Sequence, residues 1–264
     1  IDRGYDANGS PATLKYPGDG LSITLAPNAL GQAQQVGSYA TGITYHPGGA
    51  VAGFRYGNGI VRNMAQNARG LPHSSADAGI LNDIYTYDEN ANVTGIQDQQ
   101  EGITSRTMGY DGLDRLKTVS APALWGTASY TYDSQDNLLS STISAGSNAR
   151  TGVHTINRST NRLDSLGSSN AAFSFAYGYD VQGNINRRGN RSYTFDIGNR
   201  MSSATGLATY EYDGHGRRVS VVGNDGVNRI QVYSQAGQLL YSTSGANAAT
   251  RYIYLNNHVI AEVK

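Results

Sequence analysis

Polar and apolar residues alternate along this chain in short runs, and a turn follows nearly every run. In YTYDENANVTGIQD, residues 85–98, the alternation puts Tyr85 and Tyr87 on one face of a strand, because successive side chains of an extended chain point to opposite faces. Aspartate closes the run. Its carboxylate can accept a hydrogen bond from the backbone two residues on, forming the Asx turn that reverses a chain. A Gly or Asn follows, as in Gly183-Asn184 or Gly214, and is expected to take the positive φ of a tight hairpin. An aliphatic residue such as Val93, Leu116 or Leu138 then opens the return strand. The pattern predicts a β-hairpin.

It also repeats. Taking the aromatic residue of each pair as an anchor gives Tyr87, Tyr110, Tyr132, Tyr179, Phe195, Tyr212, Tyr233 and Tyr254. A degenerate unit in TINRSTNRLDSL keeps Asn161-Arg162-Leu163 but has lost tyrosine–aspartate. With it included, anchors fall about 16 to 25 residues apart. Upstream the pattern loosens. GYDANG at residues 4–9 is one unit, and ITYHPGGAVAGFRYGNGIV at residues 43–61 is another, with His46 in place of aspartate. The chain therefore reads as one continuous repeat segment, looser over 1–84 and clear over 85–264.

A lone hairpin is marginal in water, so hairpins of roughly 20 residues should stack into one sheet. The tyrosine rings are expected to pack on one another, each hydroxyl finding a partner. The pairs Tyr87/Asp88, Tyr110/Asp111, Tyr132/Asp133, Tyr179/Asp180, Phe195/Asp196 and Tyr212/Asp213, with Tyr233 and Tyr254, are thus expected to be structural. Catalysis needs one constellation with distinct roles, not many near-copies. Phe195, Ser234 and Leu255 replace tyrosine or aspartate at their anchors, so the last units are expected to turn differently.

Composition sharpens the class. Of 264 residues 33 are Gly and 19 Tyr, against 4 Phe and 6 Pro, a balance that suits strands and tight turns over helices. The class is all-β. Lys plus Arg and Asp plus Glu are equal at 20 each and only 15% of residues are charged, so the basic footprint of a nucleic-acid binder is missing. There is no cysteine, which excludes disulfides and thiolate metal sites. No apolar run has the length of a membrane-spanning helix. The chain begins at Ile1 with no signal-peptide pattern, and reads as a piece of something longer.

Outside the repeat no nucleophile–base pair stands apart. His46, His73, His154, His215 and His258 are scattered, with no zinc-binding spacing. Nucleophile elbows, P-loops and GxGxxG runs are lacking. YGNG at residues 56–59 and GHGRR at 214–218 read as hairpin turns, because a phosphate cradle would need a following helix. No catalytic, cofactor or metal residue is assigned. Trp125 and exposed tyrosines are candidate platforms for sugar rings. Four glycosylation-type triplets, at Asn8, Asn92, Asn157 and Asn190, are what an Asn-, Ser- and Thr-rich chain supplies by chance.

The run from YTYDENANVTGIQD through MGYDGLDRLKTV, SYTYDSQDNLLS, GYDVQGNINRRG, YTFDIGNRMSSA, YEYDGHGRRVSVV and VYSQAGQLLYS to RYIYLNNHVIAEV closely resembles the tyrosine–aspartate (YD) repeats of bacterial Rhs proteins. The same repeats occur in the C components of insecticidal toxin complexes and in teneurins. The resemblance implies a hollow β-sheet spiral, of which this chain would form an arc or partial turn. It implies a secreted or surface-delivered bacterial shell around a C-terminal toxin, with that cargo and neighbouring repeats as partners. It also implies no catalysis within the repeats. The family's self-cleaving aspartates cannot be carried onto this chain, which has no Asp-Pro dipeptide. The alternative is a surface module binding glycans or protein. Open sheet edges at Ile1 and Lys264 are expected to promote self-association.

Overall fold

The computed structural model describes residues 2–16, 20–245 and 248–264. Ile1, and with it the sheet edge expected there, lies outside the described residues. The fold is all-β, with 56% of residues in strands, built from consecutive antiparallel hairpins. Backbone contacts divide the chain into two compact units. One comprises residues up to Met64 together with Thr194–Lys264, the other Ala65–Tyr193.

The first unit opens with a small sheet in the order β1 (Asp2–Tyr5), β2 (Pro11–Lys15), β3 (Ser22–Thr24). A meander follows through β4 (Gln35–Val36), β5 (Ala40–Tyr45), β6 (Val51–Tyr56) and β7 (Val61–Gln66). The second unit is a longer meander. It runs through β8 (Pro72–Asp77), β9 (Leu81–Tyr87), β10 (Val93–Asp98), β11 (Arg106–Tyr110), β12 (Leu116–Ala121) and β13 (Gly126–Tyr132). It continues with β14 (Leu138–Ile143), β15 (Arg150–Asn157), β16 (Arg162–Ser168), β17 (Phe175–Tyr179), β18 (Ile185–Arg188) and β19 (Arg191–Phe195). Each strand pairs antiparallel with the next. The chain then returns to the first unit with β20 (Met201–Ala204), β21 (Ala208–Tyr212), β22 (Arg218–Gly223), β23 (Asn228–Tyr233), β24 (Leu239–Thr243), β25 (Ala249–Leu255) and β26 (His258–Val263), again paired in chain order.

The two units bury apolar surface differently. In the first, Tyr16 and Ile23 from the start of the chain cluster with Val36, Ala40, Ile43 and Phe54, and with Leu240, Ile253 and Leu255 near its end. Ile23, Val36 and Ile253 are each only 1% exposed. The Tyr16 hydroxyl donates to the Tyr252 carbonyl at 2.9 Å, and burial, reinforced by nearby Tyr254 and Tyr39, pushes its pKa up to about 12. In the second unit the buried apolar side chains among the described residues are only Val119, Ala121 and Ala128. That unit is a single layer of sheet, held by its ladder and its turns more than by a core.

Three expectations need correction. The motif tyrosines do not pack ring on ring: the close aromatic pair among the described residues is Phe54–Tyr56, at 4.6 Å. Gly216, not Gly214, takes the positive φ in its turn, at 76°. Of the three altered anchors, only the Leu255 unit turns differently. Leu255 pairs directly with His258 across a two-residue turn in which Asn256 has φ 53°.

Candidate functional site

The row of hairpin turns carries the densest polar chemistry of the molecule. In each turn the N–H of the residue after the tyrosine donates to the carbonyl four residues on, and an N–H three residues on donates back. For Asp111 these bonds are Asp111 N to Arg115 O at 2.9 Å and Asp114 N to Asp111 O at 3.1 Å. Asp88, Asp133, Asp180, Asp196 and Asp213 repeat the pair. The residue three after the aspartate sits in the left-handed region: Ala91, Asp114, Asp136, Gly183, Asn199 and Gly216 have φ between 59° and 97°. This is the three-residue loop with a bulge, whose twist matches that of the flanking strands. The ladder register duly shifts beside each tyrosine.

The aspartate carboxylates complete the loops. Asp133 Oδ1 accepts from Gln135 N at 2.8 Å and Asn137 N at 2.9 Å, and Oδ2 accepts from Asn137 Nδ2 at 2.9 Å. Asp111 accepts from Leu113 N, Arg115 N and Arg115 Nε, and Asp88, Asp180, Asp196 and Asp213 bond their loops similarly. Ser234 does the same with its hydroxyl, accepting from Gln238 N at 3.1 Å. His46 closes its loop through the backbone alone. In the degenerate unit Asn157 substitutes for aspartate, accepting from Ser159 N and Thr160 N.

The tyrosines tie each turn to the one before. Tyr87, Tyr110, Tyr132 and Tyr179 donate to the carbonyls of Pro72, Val93, Leu116 and Leu163 at 2.7–2.9 Å, and Tyr212 to Met201 at 2.8 Å. Each acceptor stands first in the return strand of an earlier turn, or second in the case of Leu163. Phe195 has no hydroxyl for such a bond, and the Tyr233 hydroxyl faces Gln231 Oε1 at 3.4 Å. Tyr254 precedes the two-residue turn.

The residue four after the aspartate reaches forward. Arg115 Nη1 donates to the Asp133 carbonyl and to Asp136 Oδ1, both at 2.8 Å, and its guanidinium lies 4.8 Å from the Tyr132 ring. Arg200 binds the Asp213 carbonyl at 3.2 Å and stacks 5.1 Å from Tyr212. Asn92 and Asn137 reach Asp114 and Asn161 at 2.8 Å. Arg217 donates to the Ser234 and Gln235 carbonyls. Cation–π contacts between consecutive repeats thus stand where ring–ring stacking was expected.

These bonds set the carboxylates' acidity. The Asn92, Asn137 and Asn184 amides hold Asp88, Asp133 and Asp180 below the ordinary value, and the Arg200 guanidinium does so for Asp196. Arg229 lowers Asp225 from 3.8 to about 2. A depressed folded-state pKa gives stability that is complete above the unfolded value and is lost as pH falls through the folded one. The melting temperature followed by circular dichroism should therefore hold steady down to about pH 4 and fall between there and about pH 2. A flat profile across that window would contradict the role given to the turns. In the Asp88 loop, Ala91 has φ 70°, a conformation costing an L-residue about 1–2 kcal/mol. Part of that is offset by glycine's greater freedom when unfolded, so Ala91→Gly should stabilise by up to about 1 kcal/mol in urea denaturation.

Sequence reasoning missed the turns at Asn28 and Asn67, where each side-chain amide oxygen accepts two backbone N–H groups. The available signal was a glycine three residues on, at Gly31 and Gly70, as at Gly9 and Gly49. Trp125 lies half-buried in the turn between β12 and β13.

No protein-family model matches the chain, and no curated protein matches it. Solved structures do. The TcdB2–TccC3 complex superposes with TM-score 0.70 at 19% identity over 97% of this chain. A Photorhabdus luminescens Tc holotoxin pore carrying a TccC3 mutation gives 0.72 at 16% over 96%. TcdB2–TccC3 without its hypervariable C-terminal region gives 0.64 at 18% over 95%. The fold is that of a stretch of these TcdB2–TccC3 structures. The chain spans 15% of the length of each of those chains. Within this fold, the turn row and its tyrosine bonds are the contacts that one YD repeat makes with the next.

Proposed function

We propose that this chain is a continuous segment of the wall of a secreted bacterial shell that encloses a C-terminal toxin domain of its parent polypeptide, and that it performs no catalysis. One observation carries the reading. Consecutive turns are joined by the same tyrosine and forward-reaching contacts, while the sheet of Ala65–Tyr193 has almost no core of its own. Such a construction extends a thin wall repeat by repeat without thickening it. The likeness in fold to TcdB2–TccC3 supports the same reading. The test is limited proteolysis of the natural parent protein, with intact mass and a toxicity assay of the released tail. A toxic tail that resists protease until the shell is unfolded is the expected result. A parent without such a tail, or with one digested as fast as free polypeptide, overturns the proposal.

A further inference from the structure

The sheet of Ala65–Tyr193 has two unlike faces. Residues paired directly across a ladder share a face, so cross-strand rows can be followed from strand to strand. On the tyrosine face one row runs Met108, Val119, Ala128, Ile143, Arg150. On the opposite face, which carries the residue before each tyrosine, a row runs Thr86, Gly95, Thr107, Ser120, Thr127. A second runs Gly109, Thr118, Ser129, Thr142, Thr151. Neither of these two rows contains an ionisable or aromatic residue.

Space keeps that face low. Gly95 and Gly109 do not have positive φ, so conformation does not demand glycine at either. A Cβ at Gly95 would lie 2.6 Å from Thr86 Oγ1, and one at Gly109 would lie 2.7 Å from Thr118 Oγ1. Around Gly95 lies a shallow depression of about 500 Å³ whose lining combines Thr86, Thr107 and Ser120 with Ile84, Ile96, Pro122 and Arg106.

In the first unit the equivalent face has a visible occupant. Ile253 precedes Tyr254, and it is buried with Leu255 and Leu240 against Tyr16 and Ile23 of the chain's own opening segment. There the face is buried, with Arg251 beside the apolar Ile253 and Leu255.

We infer that in Ala65–Tyr193 the pre-tyrosine face is the side that meets the enclosed polypeptide, and that its Ser/Thr/Gly rows across β9–β15, which give way to Arg187 only on β18, are a low-adhesion surface for an extended, non-native chain. The inference rests on the shell reading above. An apolar wall would gain about 25 cal/mol per Å² of apolar surface it covered, and a charged wall would hold segments of opposite sign. Hydroxyls exchange bonds to water for bonds to polypeptide with little net gain. The cargo is thereby contained without being bound.

The chain has no cysteine, so single thiols report cleanly. Ser129→Cys on the pre-tyrosine face and Ser141→Cys on the tyrosine face, where Ser141 pairs with Tyr130, are introduced separately into the cargo-bearing parent protein. Each is treated with a small maleimide, a large polyethylene-glycol maleimide and a photoreactive maleimide. The expected result is that Ser129→Cys takes the small reagent, loses labelling by the large one and crosslinks to cargo. Ser141→Cys takes both and captures no cargo. Cargo captured from Ser141→Cys with Ser129→Cys open overturns the assignment of faces and leaves the shell standing. Both positions open to the large reagent with no cargo captured overturns the assignment together with the shell reading.

Discussion

Ile253→Ala should cost about 3–4 kcal/mol of stability, within the range for deleting a fully buried branched side chain. Ile253 is 1% exposed and stands in the cluster that joins the opening of the chain, through Tyr16 and Ile23, to β24 and β25. The lost contacts include those to the first sheet, so the cavity would loosen the seating of β1–β3. Urea denaturation of the variant beside Val153→Ala, a site 54% exposed, provides the control, for which a change within about 0.5 kcal/mol is expected. Equal effects at the two positions would show that the cluster is not the core of its unit.

The second large effect is expected at Tyr132. Its ring is half-buried, its hydroxyl donates to the Leu116 carbonyl at 2.9 Å, and the Arg115 guanidinium lies over it at 4.8 Å. Tyr132→Ala removes all three and should cost about 2–3 kcal/mol, less than a fully buried aromatic because one side is wet. Tyr132→Phe keeps the ring and the stacked arginine and loses one hydrogen bond, about 1 kcal/mol. The chain already carries that replacement at Phe195, whose Asp196 loop is intact. Denaturation midpoints of the two variants decide the matter. If Phe were as damaging as Ala, the hydroxyl bond alone would join the repeats and the stacked arginine would contribute little.

Much of each hairpin was legible before the structure. The alternation in YTY, the aspartate at the turn and the aliphatic return residue act over at most a few positions, and backbone geometry translates such short patterns directly. Even so, Gly214 was expected in the left-handed conformation that Gly216 adopts, because a DGHG stretch offers two glycines and only loop closure chooses between them. Ser234 was expected to alter its turn, yet a hydroxyl accepts the same N–H as a carboxylate does.

By itself the sequence determined that this protein is all-β, that it repeats, and where the tyrosine–aspartate turns fall, since these depend on period-two alternation and on bonds spanning four residues or fewer. Only the tertiary structure decided which carbonyls Tyr87, Tyr110, Tyr132, Tyr179 and Tyr212 reach, that arginine and not another ring covers Tyr132, Tyr179 and Tyr212, and which strands receive the opening segment. Tyr16 and Tyr252 are bonded across 236 positions of chain. No local pattern encodes that bond, because it forms only once apolar side chains from both ends of the chain share one core and exclude water from it.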